Sequence, residues 1–264
     1  RFMSLGSGSS GNCYYLGTET YGLFIDAGIG IRSIKKICKE YNLPLETIKG
    51  VFVTHDHADH IKAVGHLAGK YNIPIYTTPE IHHGMSRSYC MTERISEANT
   101  RFIHKEESLQ IEDFTITCFE VPHDGSDNVG YCISIDGKVF SFLTDIGHIT
   151  ETAGKYIGCA NYLILEANYD ESMLQMGPYP AHLKARIASP TGHMSNREMA
   201  EYLANHFPEG LQYLWLCHLS KDNNHPDLAF KTVELALKEK NIIVGRDVQV
   251  IPLKRTSPSE IYSL

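Results

Sequence analysis

The alternation of apolar and polar residues along the first half of the chain predicts short strands and amphipathic helices. Residues 13–16 and 21–26 are β-rich runs separated by polar residues, which is typical of strands joined by turns. Residues 31–41 place isoleucines on one helical face and lysines on the opposite face. The apolar run 50–53 predicts a buried strand, and residues 60–70 predict a helix.

The second half of the chain repeats this pattern, with two well-defined helices among its strands. One helix starts at Ser195, because Ser195 and Glu198 have the spacing of a capping box, and the other covers residues 227–240. Residues 80–105 are polar and ambiguous, with a helical excursion as one interpretation. Strands are predicted at residues 115–120, 130–135, 139–143, 162–165, 211–217 and 248–253.

These two runs of strands, each mixed with helices, predict an α/β fold. Two sheets packed together with helices outside would bury the apolar faces of both kinds of element, as in an αββα sandwich. Periodicity alone is compatible with this architecture and does not select it. The length of 264 residues permits one or two domains. No proline-rich linker divides the chain, and we expect a single domain over residues 1–264.

Composition adds expectations about the compartment. No stretch approaches the roughly 18 consecutive apolar residues that a membrane-spanning helix needs, and the first residues do not have the pattern of a signal peptide. The seven cysteines are dispersed and include no C-x-x-C pair, which is typical of reduced thiols. We therefore expect a cytoplasmic protein that does not enter a membrane.

The formal net charge of −7 does not favour a nucleic-acid-binding protein. A local basic rim or bound divalent metals would still allow an acidic protein to hold a phosphate backbone. The 14 histidines are more informative, because several of them lie where metal ligands are needed. The histidines are therefore the first candidates for functional residues.

The decisive segment is the sequence HDHADH at residues 55–60, directly after the predicted buried strand 50–53. A turn at the end of a strand aims alternate side chains at one point, and the start of a helix adds further ligands. Imidazole and carboxylate together suit zinc, and also iron or manganese. A polar loop in which histidines cluster by accident is the alternative, and the order H-x-H-x-D-H makes it the weaker interpretation.

This motif resembles the metal-binding segment of the metallo-β-lactamase superfamily, and the resemblance extends over nearly the whole chain. It implies an αββα sandwich in which two mixed sheets are flanked by helices. Further ligands in the superfamily come singly, each at the end of a later strand. The resemblance implies His55, His57 and His123 for one metal, Asp59, His60 and His218 for the other, Asp145 as the bridging ligand and Asp26 as support for the metal loop. Asp124 is the rival of His123.

The implied cofactors are two divalent metal ions, with zinc preferred over manganese or iron. At about 3.5–4 Å apart they would share a water and lower its pKa towards neutrality, so that hydroxide attacks the substrate. Asp59 would both ligate a metal and orient the attacking water. Members of the superfamily act on lactams, thioesters, lactones and nucleic acids, so the fold does not name the substrate.

Three further segments favour phosphodiester cleavage. Glu166 lies in LILEANYD and His193 in TGHMSN, and both segments are similar to motifs of β-CASP nucleases. His218 lies in HLS, which resembles the closing motif of ribonuclease Z relatives. A His193 paired with Glu166 would be held as imidazolium and would protonate the leaving oxygen. Ser195 and Asn196 open a helix, which is a natural place for a phosphate. The alternatives are an ordinary strand-end role for Glu166 and a simple N-cap role for Ser195.

The whole set, together with the loop GSGSSGN at residues 6–12, is most similar to the YycJ/WalJ-like branch of the superfamily, which implies DNA exonuclease activity. Unlike β-CASP nucleases, the chain has only 21 positions from Asp145 to Glu166 (166 − 145), which leaves no room for their inserted domain. We expect a metal-dependent phosphodiesterase acting on DNA or another phosphodiester. The alternatives are a small-molecule hydrolase of a cyclic phosphodiester, lactone or thioester, and a non-catalytic binding protein. Nothing in the sequence indicates an oligomeric state.

Overall fold

The computed structural model describes residues 1–264 and contains two compact units, each with its own mixed β-sheet. The first unit comprises Arg1–His104, Gly125–Asp127 and Lys254–Leu264. The second unit comprises Lys105–Asp124 and Asn128–Leu253. Because helices accompany a mixed sheet in each unit, the predicted α/β class with two mixed sheets is confirmed.

The first unit is built on a six-stranded sheet whose strands neighbour one another in chain order. Its first three strands pair antiparallel, and the third to the sixth pair parallel. The strands are β1 (Phe2–Gly6), β2 (Cys13–Gly17), β3 (Gly22–Ile25), β4 (Ile48–Phe52), β5 (Ile75–Thr77) and β6 (Thr100–Phe102). The helices are α1 (Ile31–Glu40), α2 (Ala58–Ile61), α3 (Val64–Tyr71) and α4 (Pro79–Arg87), with 3-10 turns at Leu45–Thr47 and Glu97–Asn99.

The second unit is built on a seven-stranded sheet that also follows chain order. Its first four strands pair antiparallel, and its last four pair parallel. The strands are β7 (Ser108–Ile111), β8 (Phe114–Glu120), β9 (Val129–Ile135), β10 (Lys138–Leu143), β11 (Tyr162–Glu166), β12 (Tyr213–Cys217) and β13 (Gln249–Pro252). The helices are α5 (Glu151–Gly158), α6 (Glu171–Met176), α7 (Ala181–Ile187), α8 (Asn196–Asn205) and α9 (Pro226–Glu239).

The core of the second unit explains why its parallel strands read as continuous apolar runs. All five residues of β11 are buried, as expected for a parallel strand covered on both faces. Leu163 and Leu165 of that strand belong to the same buried cluster as Leu203 of α8 and Val233 of α9. The packing of α8 and α9 on the parallel strands therefore holds the ends of β10, β11 and β12 in place. No helix has the length and apolar composition needed to cross a bilayer.

The helix predicted over residues 60–70 is wrong in one respect, since the structure divides it into α2 and α3. An unbroken helix would need a hydrogen bond from the Ala63 N–H to the Asp59 carbonyl. Ala63 instead donates to the Ala27 carbonyl (2.8 Å), and the Asp59 carbonyl accepts from the Asn12 N–H (2.7 Å). Tertiary bonds with Asn12 and Ala27 thus break the helix immediately after the histidine-rich segment.

Candidate functional site

The first unit holds the HDHADH segment at the end of β4. Asp26, one residue after β3, is fully buried and accepts hydrogen bonds from the Thr54 N–H (2.8 Å) and the Thr54 hydroxyl (2.9 Å). The other contact of this carboxylate is with His60, whose Nδ1 donates to Oδ2 at 2.7 Å. Burial raises the pKa of Asp26, although the attraction of His60 opposes it. Asp26 thus orients the His60 ring, as a carboxylate behind a metal-binding histidine does.

The predicted ligands of this segment lie together. The His55 ring centroid is 4.6 Å from that of His57 and 4.0 Å from that of His60. His60 Nε2 is 3.6 Å from Asp59 Oδ2. Their neighbour Asp56 lies apart from them and accepts from the N–H of Ser126 at 3.1 Å. The strand-end turn therefore sends His55 and His57 to one side and the aspartate between them to the other.

Asn12 lies beside these candidate ligands in the first unit. Its Nδ2 lies 2.9 Å from His60 Nε2 and 3.4 Å from Asp59 Oδ2, so one donor faces two atoms that the family resemblance assigns to a metal. Asn12 is fully buried and closes the serine- and glycine-rich loop through the Gly8 N–H, which donates to Oδ1 at 2.8 Å. An imidazole nitrogen and a carboxylate oxygen that face one point form a donor set suited to a divalent metal.

The second unit holds a cluster around Glu166, the last residue of β11. Glu166 is fully buried, and its Oε1 accepts from His193 Nδ1 (2.8 Å) and from His218 Nδ1 (2.9 Å). Its Oε2 accepts from the N–H groups of Ile146 (3.0 Å) and Met194 (3.2 Å). Burial opposes ionisation of Glu166, but the charge of His193 and the hydrogen bonds from both histidines outweigh it and lower the pKa. Glu166 is therefore an ionised anchor for two histidines.

His193 is held in its charged form by these neighbours. Burial alone would lower the pKa of His193, but the attraction and the hydrogen bond of Glu166 outweigh burial and raise the pKa. The charge of Asp145, whose Oδ1 lies 3.7 Å from His193 Nδ1, also raises the pKa of His193. The side chain is about one fifth exposed, and its Nδ1 is fixed by the hydrogen bond to Glu166. A cationic histidine of this kind can donate a proton.

Asp145 joins the remaining predicted ligands of this unit. Its Oδ1 is 3.2 Å from His218 Nδ1 and 3.7 Å from His123 Nε2, and the cluster of Asp145, Glu166, His193 and His218 has the composition of a metal site. His123 donates from Nδ1 to the Gly192 carbonyl at 2.8 Å, and its other ring nitrogen, Nε2, faces Asp145. Burial lowers the pKa of His123 and so favours the neutral ring that a metal ligand requires.

The contacts separate His123 from its rival Asp124. His123 is buried, whereas Asp124 is exposed and its Oδ2 accepts from Arg186 Nε at 2.6 Å. This ion pair gives Asp124 a structural partner on α7. The contacts therefore favour His123 as the candidate ligand.

Ser195 and Asn196 take part in bonds within the chain. The Ser195 hydroxyl accepts from the Glu198 N–H (3.1 Å) in a capping box at the start of α8, as predicted. The side chain of Asn196 is buried and exchanges hydrogen bonds with that of Asn224 at 2.9 Å in both directions. These contacts fix the segment that carries His193. Binding of phosphate by Ser195 and Asn196 stays a prediction.

Sequence reasoning gave no role to Asn168, which the structure places beside Glu166. Its Nδ2 donates to the His218 carbonyl (2.8 Å) and lies 3.3 Å from Glu166 Oε1. Its own carbonyl accepts from Asn224 Nδ2 at 3.0 Å. The i, i+2 spacing from Glu166 is the signal that could have identified Asn168, because alternate residues after a strand can return to the same side.

A family model described as a beta-lactamase superfamily domain matches residues 22–213. The chain belongs to this superfamily. It is 32% identical to Exodeoxyribonuclease YycJ of Bacillus anthracis over 98% of this chain and 97% of that protein. It is also 32% identical to Exodeoxyribonuclease WalJ of Streptococcus pneumoniae serotype 2, over 95% of this chain and 93% of that protein. The predicted YycJ/WalJ-like resemblance is therefore confirmed.

The solved structures agree on the fold. Unliganded yeast PDE1 matches with a TM-score of 0.72 at 13% identity, covering 97% of this chain and 98% of that one. YhfI from Bacillus subtilis, a metallo-β-lactamase fold protein, matches with a TM-score of 0.67 at 20% identity and 98% coverage of both chains. The predicted metallo-β-lactamase fold is confirmed.

Proposed function

We propose that this protein is a metal-dependent phosphodiesterase that degrades DNA as an exonuclease. The observation that carries the proposal is the fully buried Glu166, which accepts a hydrogen bond from His193 Nδ1 beside Asp145, in a chain that is similar over nearly its whole length to two exodeoxyribonucleases. A cationic histidine supplies the proton that a leaving alkoxide needs, and a phosphodiester releases such a group.

We assign two metal ions to the predicted ligands, with zinc preferred over manganese or iron. His55, His57 and His123 would hold one ion, Asp59, His60 and His218 would hold the other, and Asp145 would be a ligand shared by both. Imidazole and carboxylate donors on both units, with the Asn12 amide facing two of them, support this assignment. When bound, such ions lower the pKa of a water and neutralise charge that develops on a phosphoryl oxygen.

The residues of the chain account for the remaining steps. Asp59 lies beside His60 and orients the attacking water. The His193 ring, fixed through Nδ1 by Glu166, carries a proton on Nε2 that it gives to the leaving oxygen. Asp26 and Glu166 orient His60 and His218 and act as positioning residues.

A small-molecule hydrolase is the second candidate. The net charge of −7 favours it, because a long polyanion is repelled by an acidic protein. The short connection between Asp145 and Glu166 leaves no inserted clamp for a polymer. A cyclic phosphodiester, a lactone or a thioester would fit the same donor set.

Hydrolysis of end-labelled DNA and of bis-(p-nitrophenyl) phosphate by one preparation tests the proposal. We expect both activities in zinc or manganese, loss of both in chelator, and mononucleotide release in the product ladder. Asp145→Asn should reduce both at least about 100-fold, whereas Asp136→Asn, in the exposed turn after β9, should leave them intact. If the metal-loaded protein cleaved neither substrate but hydrolysed a lactone or thioester, the nuclease proposal would be wrong and the second candidate would take its place.

The role of His193 needs a second readout. We expect His193→Ala to lower kcat by roughly 100-fold or more while bound metal stays near the wild-type amount. The exposed His206 is the matched control, and His206→Ala should match wild type in both. Loss of metal from His193→Ala would make His193 a ligand and overturn its role as the acid.

A further inference from the structure

Helix α1 carries a stripe of four cations, defined here as the basic stripe: Arg32, Lys35, Lys36 and Lys39. Their i, i+3, i+4 and i+7 spacing places them on one face of the helix. All four are exposed, whereas Ile34, Ile37 and Cys38 on the other face are buried. The stripe spans about 10 Å along the helix axis at roughly 1.5 Å per residue.

None of the four cations of the basic stripe forms an ion pair with a carboxylate of the chain. Seven cations elsewhere are matched with carboxylates, in the pairs Arg1–Glu19, Lys105–Glu120, Lys155–Glu106, Arg186–Asp124, Arg197–Glu171, Lys231–Glu234 and Arg246–Asp247. Like charges three and four residues apart on a helix repel one another. Arg32 also lies in the first turn, where the helix dipole disfavours a cation. The one carboxylate of the helix, Glu40, is its last residue, so no acidic residue lies between the four cations in the sequence.

The chain that leads into α1 is anchored on the histidine-rich segment. The loop before α1 contacts that segment through the Ala27 N–H, which donates to the His60 carbonyl at 2.8 Å. Gly28 packs so closely on the Asp59 backbone that a Cβ at this position would lie 1.6 Å from the Asp59 carbonyl oxygen. The helix then begins at Ile31, so its first turn lies a few residues from the proposed metal ligands.

We propose that the basic stripe binds the phosphate backbone of the DNA substrate beyond the scissile bond. This inference rests on the proposed function and deepens it by naming the surface that holds the polymer. At about 3.4 Å of axis per phosphate on one strand, the stripe is long enough for roughly three phosphates. It supplies a local basic rim on a protein whose net charge of −7 would otherwise repel DNA.

Two features distinguish DNA from other anionic partners. The apolar face of α1 is already buried in its own unit, so the helix presents only charge and no face for insertion into a bilayer. Lys35 and Lys39 also line a groove of about 430 Å³ that includes the half-buried Tyr71. A backbone on the stripe would place a base near an aromatic ring, which is a recurring feature of single-stranded DNA sites.

The test is binding of a short labelled phosphorothioate oligonucleotide, which resists cleavage, to the metal-loaded protein over a range of salt concentrations. The variant is K35Q/K36Q/K39Q, because glutamine keeps helix propensity. The matched control is K231Q/K238Q/K240Q at the exposed side of α9, which removes the same charge. We expect the α1 variant to bind about tenfold more weakly at low salt. Its slope of log K against log salt should be shallower by about two, at roughly 0.7 per lost contact on a single strand.

Hydrolysis of bis-(p-nitrophenyl) phosphate separates this inference from the proposed function. This small substrate has no polynucleotide backbone to bind along α1, so the α1 variant should hydrolyse it within about twofold of wild type. If the α1 variant bound the oligonucleotide with the same affinity and salt slope as the α9 control, the stripe would have no role in binding DNA. The nuclease proposal would not be affected by that result. If the α1 variant lost binding to a polyglutamate peptide but bound DNA as the wild type does, the stripe would be a site for an acidic protein. That result would also overturn the inference that the stripe binds DNA. If the wild-type protein bound DNA through the stripe but cleaved neither substrate, the proposed nuclease activity would be refuted and the role of the stripe would stand.

Discussion

Glu166 shows how one buried residue defines the chemistry of its neighbours. A carboxylate without water is destabilised unless hydrogen bonds replace the lost solvation. Two backbone N–H groups and two histidines supply those bonds here, which keeps Glu166 ionised. One carboxylate oxygen thereby fixes Nδ1 of both His193 and His218 and leaves their Nε2 atoms for other partners.

Replacing this carboxylate by an amide tests its positioning role. We expect Glu166→Gln to lower kcat/KM on DNA by about 10–100-fold, with a smaller loss of bound metal, because the histidines lose an acceptor and a charge. Steady-state kinetics with elemental analysis measures both. Glu171→Gln, at a partly exposed residue that pairs with Arg197, is the matched control. Equal activity of the two variants would refute the role of Glu166.

Cys159 is a second residue with a testable ionisation. A hydrogen bond from the Cys132 thiol lowers the pKa of Cys159 to about 7, while partial burial opposes the shift. Because the thiolate is the nucleophile, alkylation of the exposed Cys159 by iodoacetamide should rise with pH and reach half its maximum near pH 7. Mass spectrometry of peptides from a pH series measures this. Cys132→Ala should move the midpoint to higher pH, and an unchanged midpoint would contradict the hydrogen bond as its cause.

At the scale of elements, strand ends supply the site, and two of them use an unusual backbone. Asp26 and His218 follow β3 and β12 with φ angles of 58° and 52°. This left-handed conformation is rare for residues other than glycine and is found where surrounding contacts over-determine it. Asp26 is held by Thr54 and His60, and the His218 carbonyl by Asn168. The turn at each strand end thereby aims a side chain into its cluster.

Gly28 tests the contact between the loop before α1 and the histidine-rich segment. A Cβ at Gly28 would lie 1.6 Å from the Asp59 carbonyl oxygen, whereas one at Gly30 meets nothing within 4 Å. We expect Gly28→Ala to displace Asp59 and reduce bound metal and activity at least about tenfold, and Gly30→Ala to match wild type. Elemental analysis and DNA cleavage measure the two effects. Full metal content in Gly28→Ala would show that this contact does not position the segment.

The packing of α8 on the second sheet gives a prediction about stability. Leu203 is fully buried in the core, so Leu203→Ala should lower the free energy of unfolding by about 2–5 kcal/mol. Leu235 on α9 is 59% exposed, and Leu235→Ala should change this free energy by less than about 1 kcal/mol. Urea unfolding followed by circular dichroism compares the two. A similar small loss in both variants would contradict the assigned core.

At the scale of the whole molecule, the sequence identifies candidate site residues more readily than the contacts that surround them. The HDHADH segment is recognisable because ligand spacing within one turn is local, and Glu166 and His193 because each lies in a short motif. Strands such as 162–165 were found from continuous apolar runs, since burial on both faces removes polar residues.

The features that were missed depend on partners distant in sequence. The break between α2 and α3 comes from bonds to Asn12 and Ala27, which no local pattern reveals. Asn168 carries no signal of its own until β11 and β12 place it beside His218. The amphipathic pattern of α1 was visible in the sequence, but the lack of ion pairs along the stripe required the structure.

Titration of metal into the metal-depleted protein, with cleavage of end-labelled DNA as the readout, tests the central claim most directly. We predict no cleavage without metal, and activity that rises with added zinc or manganese and saturates at about two ions per chain. Cleavage that persists in excess chelator, or a fully loaded protein that leaves DNA intact, would contradict the account of this chain as a two-metal exonuclease.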